Sequence, residues 1–277
     1  MLGLFFLLVW ITVIAALTGH ERGRARLLLP SHVDDEFKDA LSRNDHATLA
    51  RYYRVALQRT LPARDEQLVR INLACALNGL GEHSQALEEL DRIELSYLLP
   101  TEVALWLNNR AYTLVFLGRP KDALDNLADA DDLLAGDDGL SRDPLLSACI
   151  SGTRGIAQLH EGDIEGAERS LLSALRQEEE GVTLQFDPES EADPARTSER
   201  WYWLGEVARR RGQLAEAERR LQRALAFPAT AFGKRAAESL GQVRSELALA
   251  AANPPALPAA EAGDGNPGPP EAEDKRS

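Results

Sequence analysis

The chain has 277 residues, of which 44% are hydrophobic and 6% aromatic, and its formal net charge is −13. That charge, without a long basic run, argues against a nucleic-acid partner. Abundant Leu, Ala, Glu and Arg beside few aromatic residues is typical of an all-helical protein. The 2 cysteines do not form a CxxC pair, so the sequence offers no zinc or redox site.

The first 19 residues predict a membrane anchor. Residues 1–18 are almost entirely apolar, and as a helix they would span about 27 Å, close to a hydrocarbon core of about 30 Å. No Lys or Arg precedes this run and the cleavage positions after it are poor, which favours an uncleaved anchor over a signal peptide. Arg22, Arg24 and Arg26 follow in a basic linker over residues 20–33. Because positive charge stays on the cytoplasmic side, we expect the remaining chain there; an extracytoplasmic placement is the alternative.

Residues 34–252 repeat one pattern: a turn residue, then Ala five residues later, Leu nine later and a small or aliphatic residue twelve later. The four clear copies are Gly81-Ala86-Leu90-Ile93, Gly118-Ala123-Leu127-Ala130, Gly162-Ala167-Leu171-Ala174 and Gly212-Ala217-Leu221-Ala224. Asn44 begins a degenerate first copy, because Asn tolerates the left-handed backbone that ends a helix. The spacing places the three apolar residues on one face of a helix that follows the turn. It predicts antiparallel helical hairpins that stack to cover one another.

The last copy is the most complete, with Trp201, Leu204 and Gly205 before its turn and Pro228 after its second helix. In these residues the chain resembles the tetratricopeptide repeat (TPR) family. The resemblance implies an all-α, right-handed solenoid of antiparallel helical hairpins that binds protein partners. No phosphate-loop, dinucleotide, nucleophile-elbow or paired-histidine motif occurs, so we expect no enzymatic activity, no cofactor, no metal and no small-molecule substrate.

An anchor followed by arginines and then by TPR-like hairpins is similar to the bacterial lipopolysaccharide assembly protein B type. That family ends in a four-cysteine metal module which this chain lacks, so the similarity extends to topology alone. The sequence thus predicts a single-pass scaffold that contacts the bilayer through residues 1–19 and assembles protein complexes through a concave groove. The alternative is a structural subunit of a cell-envelope or secretion assembly, acting from the extracytoplasmic side through its convex surface and acidic loops.

The family register also predicts which side chains line the groove. The candidates are Asn72, Asn108, Asn109, Tyr112, Tyr202, Glu206, Arg209 and Arg210, with Leu105 and Phe116 beside them. The resemblance implies that amides such as Asn72 and Asn109 hold a peptide backbone and that basic groove residues take its carboxylate. The third clear hairpin offers Gly152, Ile156 and His160 instead of Lys or Arg, which leaves the basic set incomplete. The alternative is that the candidates are ordinary solvated side chains.

Several segments and side chains outside the repeat pattern carry further expectations. Residues 178–197 are acidic and contain two Asp-Pro steps, which predicts a solvated loop. Residues 232–252 predict a helix that caps the exposed end of the stack. Residues 253–277, rich in Pro, Gly and acid, predict a disordered tail. We expect small buried side chains at Cys75 and Cys149, and surface positions for His46 and His83 just after two turns.

Overall fold

The computed structural model of the protein describes residues 33–135, 144–184 and 194–252. The predicted anchor (1–19), nearly all of the linker (20–33) and the predicted tail (253–277) lie outside these ranges. The helices are α1 (Val33–Ser42), α2 (His46–Leu57), α3 (Ala63–Gly79), α4 (His83–Asp91), α5 (Pro100–Phe116), α6 (Pro120–Ala135), α7 (Pro144–Glu161), α8 (Ile164–Leu184), α9 (Pro194–Arg210), α10 (Leu214–Ala224) and α11 (Ala231–Ala252), with a 3-10 turn at Leu95–Tyr97. None of these helices is long and apolar enough to cross a bilayer.

The turn residue of every predicted hairpin has the left-handed backbone that the sequence requires. The φ angles are 53° at Asn44, 78° at Gly81, 75° at Gly118, 90° at Gly162 and 73° at Gly212. An amide just past each of these turns bonds back to a carbonyl of the preceding helix, as the Glu82 amide does to the Leu77 carbonyl over 2.9 Å. The predicted hairpins are therefore confirmed, including the degenerate first copy at Asn44.

The small residues of the repeat lie where paired helices touch. Ala74 and Ala86 of one hairpin, and Ala111 and Ala123 of the next, have no exposed surface. In the last hairpin a Cβ atom on Gly205 would approach Leu221 Cγ to 2.7 Å, so only glycine lets α9 and α10 come this close. The Leu nine residues after each clear turn is also fully buried, which confirms the predicted apolar face: these residues are Leu90, Leu127, Leu171 and Leu221.

The helices form two layers. The first helices of successive hairpins, α3, α5, α7 and α9, pack against one another in that order. Each second helix packs chiefly on its own first helix and on the first helix of the next hairpin. The first helices therefore line one continuous face, called here the inner surface. α11 packs on both α9 and α10 and buries Ala236, Leu240 and Val243. Its role as the cap of the stack stays a prediction. The right-handed sense of the stack stays a prediction.

The predicted loop over residues 178–197 is shorter than its composition indicated. α8 continues to Leu184, and α9 begins at Pro194. Proline is well tolerated at a first helical position, because the amide it lacks has no partner within the helix. Glu178, which lies within the predicted solvated segment, is instead 5% exposed inside α8. Its burial depends on a partner from α9.

Candidate functional site

The inner surface is bridged between α5 and α9. The Tyr112 hydroxyl donates a hydrogen bond of 3.1 Å to Oε1 of Glu199, across the intervening helix α7. Burial, then the nearby Glu199 carboxylate, raises the pKa of Tyr112 well above its usual range, so the phenol stays protonated and can donate. On α7, Gly152 lies against Arg200, the residue that follows Glu199.

Arg200 of α9 occupies the space that Gly152 leaves. A Cβ atom at Gly152 would lie 2.1 Å from Cζ of Arg200, so the guanidinium rests directly on the backbone of α7. Arg200 is 3% exposed, and its Nη1 donates to Oε2 of Glu199 over 3.1 Å, while its Nε lies 3.6 Å from Oε1 of Glu178. Burial alone would lower the pKa of Arg200, but the charges of Glu178 and Glu199 raise it above its ordinary value. This buried ion cluster joins α7, α8 and α9.

An aromatic cluster covers the inner surface beside this bridge. Phe116 of α5 stacks on the His83 ring with centroids 4.9 Å apart, and it also contacts Trp203 of α9 at 6.3 Å. Trp203 contacts Tyr202 at 5.0 Å and Phe232 of α11 at 6.1 Å. Trp203 is buried, whereas the other four rings are half-buried. The inner surface thus has a partly open aromatic floor built from α4, α5, α9 and α11; the exposed His160 of α7 lies at its edge, 5.7 Å from the Trp203 ring.

The three asparagine candidates lie on two different helices. Nδ2 of Asn108 donates to Oδ1 of Asn109 over 3.4 Å, and the carbonyl of Asn109 accepts from Thr113. Asn72 is half-buried one hairpin away, on α3. The structure brings Asn108 and Asn109 together on α5, the helix that also carries Tyr112, whereas Asn72 lies on α3.

The charged candidates at the far end of the surface already have partners. Arg209 donates to Oε2 of Glu206 over 3.2 Å and lies 3.5 Å from Oε1 of Glu246 on α11. Arg210 donates to the carbonyl of Leu159 at the end of α7. A peptide carboxylate would have to compete for both guanidinium groups.

Three buried polar atoms of the inner surface have no hydrogen-bond partner within the described ranges: Asn108 Oδ1, Trp203 Nε1 and Glu206 Oε1. The residues that carry them are only 6%, 7% and 7% exposed. Buried polar atoms are nearly always paired, so each of these two acceptors and one donor can take a hydrogen bond from a ligand or a water.

The sequence reading missed several residues of this surface, although their positions were available. Glu199 has the same register as Leu105, thirteen residues before its turn, and Trp203 has the same register as Asn72, nine residues before. Phe232 and Arg235 lie on α11, beyond the last hairpin, so the repeat register does not include them. His83 is half-buried against Phe116, which corrects the surface position expected for it.

The two cysteines and His46 differ in exposure from what the sequence predicts. Cys75 is exposed rather than buried, because its register, six residues before the turn, is the inner-facing register of Tyr112. Cys149 is half-buried and accepts a weak contact of 3.6 Å from Arg196. His46 is half-buried, and its ring lies where a Cβ atom on Gly79 would be, so it is also not a plain surface residue. In the part of the chain that the structure describes, no three His, Cys, Asp or Glu side chains are grouped to hold a metal.

Comparison with known proteins bears on the fold. No protein-family model matches this sequence, and no curated protein matches it. Among solved structures, a chain in the crystal structure of the APC/C hetero-tetramer Cut9–Hcn1 has a similar arrangement, with a TM-score of 0.55 and 16% sequence identity. The match covers 76% of this chain and 35% of that chain, so it spans about a third of the solved chain's length. Together with the helical hairpins, this similarity shows that the protein has a TPR-like fold.

Proposed function

We propose that this protein is a non-enzymatic scaffold that binds a protein or peptide partner on its inner surface. The observation that carries the proposal is the set of three unpaired buried atoms on α5 and α9. Asn108 and Glu206 offer acceptors and Trp203 offers a donor. An extended peptide backbone supplies both complementary groups, since each residue brings an N–H and a C=O. The half-buried aromatic rings beside these atoms offer apolar contact area.

We further propose that residues 1–19 anchor this scaffold in a membrane, with the hairpins on the cytoplasmic side. Support comes from the length of the apolar run and from the arginines at positions 22, 24 and 26 that follow it. A reporter fused after Ser277 tests the orientation. Reporter activity restricted to the outside of the cytoplasm would contradict it and favour the alternative of an envelope or secretion subunit.

Crosslinking in native membranes, followed by partner identification, tests the inner surface. The informative variant combines Tyr202→Ala with Arg209→Ala, which removes one aromatic and one ionic contact there. Its matched control combines Tyr97→Ala with Arg92→Ala; both side chains are exposed in the connection between α4 and α5. We expect the first variant to lose the partner and the control to keep it. Equal capture by both variants would place the partner elsewhere on the molecule.

A further inference from the structure

The hairpin topology gives the stack two edges. Each first helix runs toward its turn residue and each second helix runs back, so the left-handed turns share one edge, called here the turn edge. The connections between hairpins lie along the opposite edge, called here the connection edge. There Arg64 at the start of α3 pairs with Glu102 at the start of α5, which places the beginnings of successive first helices side by side.

The chain enters the described part of the structure at the connection edge. α1 begins at Val33 and is antiparallel to α2, because Arg51 in the second half of α2 bonds over 2.6 Å to Glu36 near the start of α1. Residues 20–32 can span at most about 45 Å when fully extended. An anchor in residues 1–19 would therefore hold the connection edge within that distance of a bilayer.

Apolar side chains project from this edge in the connection between α4 and α5. Leu95, Tyr97 and Leu99 are 39%, 46% and 37% exposed, whereas Ile93 is buried and Leu98 is half-buried. The connection thus directs one set of apolar residues into the stack and an alternating set into solvent.

Buried polar side chains fix this connection in place. Gln67 of α3 accepts from the Glu94 amide over 3.1 Å, and Glu102 of α5 accepts from the Leu99 amide over 2.9 Å. Gln67 and Glu102 are only 5% and 3% exposed. A connection held this way presents its outward apolar side chains without first having to be ordered, so little conformational entropy is lost when they bind.

The composition of the edge suits the boundary between lipid and water. Tyr97 lies between exposed leucines, and a tyrosine ring has an apolar body and a polar hydroxyl that both find partners at the headgroup level. Val55, in the last turn of α2, is 44% exposed at the same edge. The charged side chains exposed around this surface have both signs, with Arg59 and Arg92 beside Glu94. This part of the edge therefore does not share the strongly acidic character of the chain as a whole.

The edge changes character at the third clear step along the stack. The last turn of α6 exposes Asp131 and Asp132 beside Leu133, and carboxylates are unfavourable against a phospholipid surface. The apolar contact is thus confined to the hairpins formed by α1 and α2 and by α3 and α4, which are the ones nearest to the entry of the chain.

We propose that the connection edge of these two hairpins rests on the phospholipid bilayer, with Leu95, Tyr97 and Leu99 inserted at the headgroup level. The proposal rests on the proposed anchor and goes beyond it, because it gives the hairpins a fixed stance: connection edge against the lipid, turn edge away from it. It applies on either side of the membrane. Three side chains would bind a bilayer weakly on their own, but a tether gives them a high effective concentration of lipid.

The test uses the full 277-residue chain in phosphatidylcholine nanodiscs. A fluorophore is attached at Ser96→Cys, within the 3-10 turn, in a background carrying Cys75→Ser and Cys149→Ser. The control position is Ser84→Cys, an exposed residue in the first turn of α4 at the turn edge. Lipids that carry a nitroxide just below the headgroup quench a fluorophore that touches the bilayer. We expect quenching at position 96 and none at position 84.

Leu95→Ser combined with Leu99→Ser should reduce the quenching at position 96 by more than half, because the apolar contact is lost. The matched control combines Leu80→Ser with Leu172→Ser. Both of these leucines are 40% exposed, one beside a turn and the other in the middle of α8. This control should leave the quenching unchanged, and thermal unfolding checks that both variants fold.

The lipid charge distinguishes apolar from electrostatic contact. Replacing a third of the phosphatidylcholine by phosphatidylglycerol, or adding salt, should leave the quenching at position 96 nearly unchanged. Quenching that requires phosphatidylglycerol and disappears in salt would overturn the insertion of Leu95, Tyr97 and Leu99, because screening weakens charge contacts and not apolar ones.

Other outcomes separate this inference from the proposed function. A chain that does not enter nanodiscs would overturn the anchor and this inference together. A chain that enters them but is no more quenched at position 96 than at position 84 would overturn this inference alone. Energy transfer between position-96 fluorophores of separate chains, without lipid quenching, would identify a second copy as the occupant and refute the bilayer contact. Tyr97→Ala should weaken the quenching and keep the protein partner of the inner surface; quenching unaffected by Tyr97→Ala and by the leucine pair would also refute it.

Discussion

Replacing Gly152 by Ala tests whether Arg200 needs the space that a side chain on α7 would fill. The added Cβ would lie 2.1 Å from Cζ and 2.5 Å from Nε of Arg200. A guanidinium can usually move aside, but this one is 3% exposed and lies between Glu178 and Glu199. If the guanidinium moved away, the buried carboxylates of Glu178 and Glu199 would lose their ion-pair partner.

The expected magnitude follows from two opposing contributions. Breaking a buried ion pair so that one partner stays uncompensated costs about 3–5 kcal/mol. Ala is favoured over Gly within a helix by about 1 kcal/mol. The net loss in the free energy of unfolding is therefore about 2–4 kcal/mol, which lowers the melting temperature by about 4–16 °C for a domain of this size.

Urea and thermal unfolding followed by circular dichroism measure this loss. Gly241→Ala is the matched control, because Gly241 is also within a helix and a Cβ atom there meets nothing within 4 Å. We expect the control to gain about 1 kcal/mol from helix propensity alone. Gly152→Ala made in an Arg200→Ala background should lose most of its cost, because the colliding group is gone. A Gly152→Ala variant as stable as the control, or one whose cost is unchanged without Arg200, would refute the account.

Three further outcomes follow from single residues. Asn44→Ala should destabilise the protein by about 1 kcal/mol and Asn44→Gly should not, because φ is 53° there; urea midpoints compare the two. Tyr112→Phe should cost about 1–2 kcal/mol in the same assay, since Glu199 loses a donor, and a shift below 0.3 kcal/mol would contradict the bridge. The pKa of His83 is lowered on folding, so the unfolded chain binds more protons than the folded one. Stability should therefore fall as the pH drops from about 7.5 through the unfolded value of about 6.5. Because the pKa values of His46 and His160 are also lowered, His83→Gln should reduce the slope of that profile without abolishing it, and an unchanged profile would contradict the prediction.

The fold was largely predictable because its determinants are local. A left-handed turn residue such as Gly118 can be recognised one residue at a time, since only Gly and Asn adopt that backbone readily. The buried positions five and nine residues later, such as Ala123 and Leu127, follow from helical periodicity alone. The predicted loop over residues 178–197 was too long because Glu178 joins α8 through a buried contact with Arg200, and that contact is not encoded in local composition.

The candidate surface was only partly predictable, because a register gives the direction of a side chain but not its partner. Register predicts the inner surface for Tyr112 and Glu206, yet it could not show that Arg209 already pairs with Glu206 and Glu246. Those ion pairs depend on which helices the packing of the stack brings together.

By itself, the sequence determined that this protein is a stack of helical hairpins with glycine or asparagine turns and small residues at the crossings, since both features are properties of single residues and of the helical repeat. Only the tertiary structure decided the character of the inner surface. Tyr112 and Glu199 are 87 residues apart in sequence and meet across α7. The aromatic floor likewise draws its rings from α4, α5, α9 and α11. Such contacts arise from the angles at which successive hairpins pack, and those angles are set by all the side chains of an interface together rather than by any one segment of sequence.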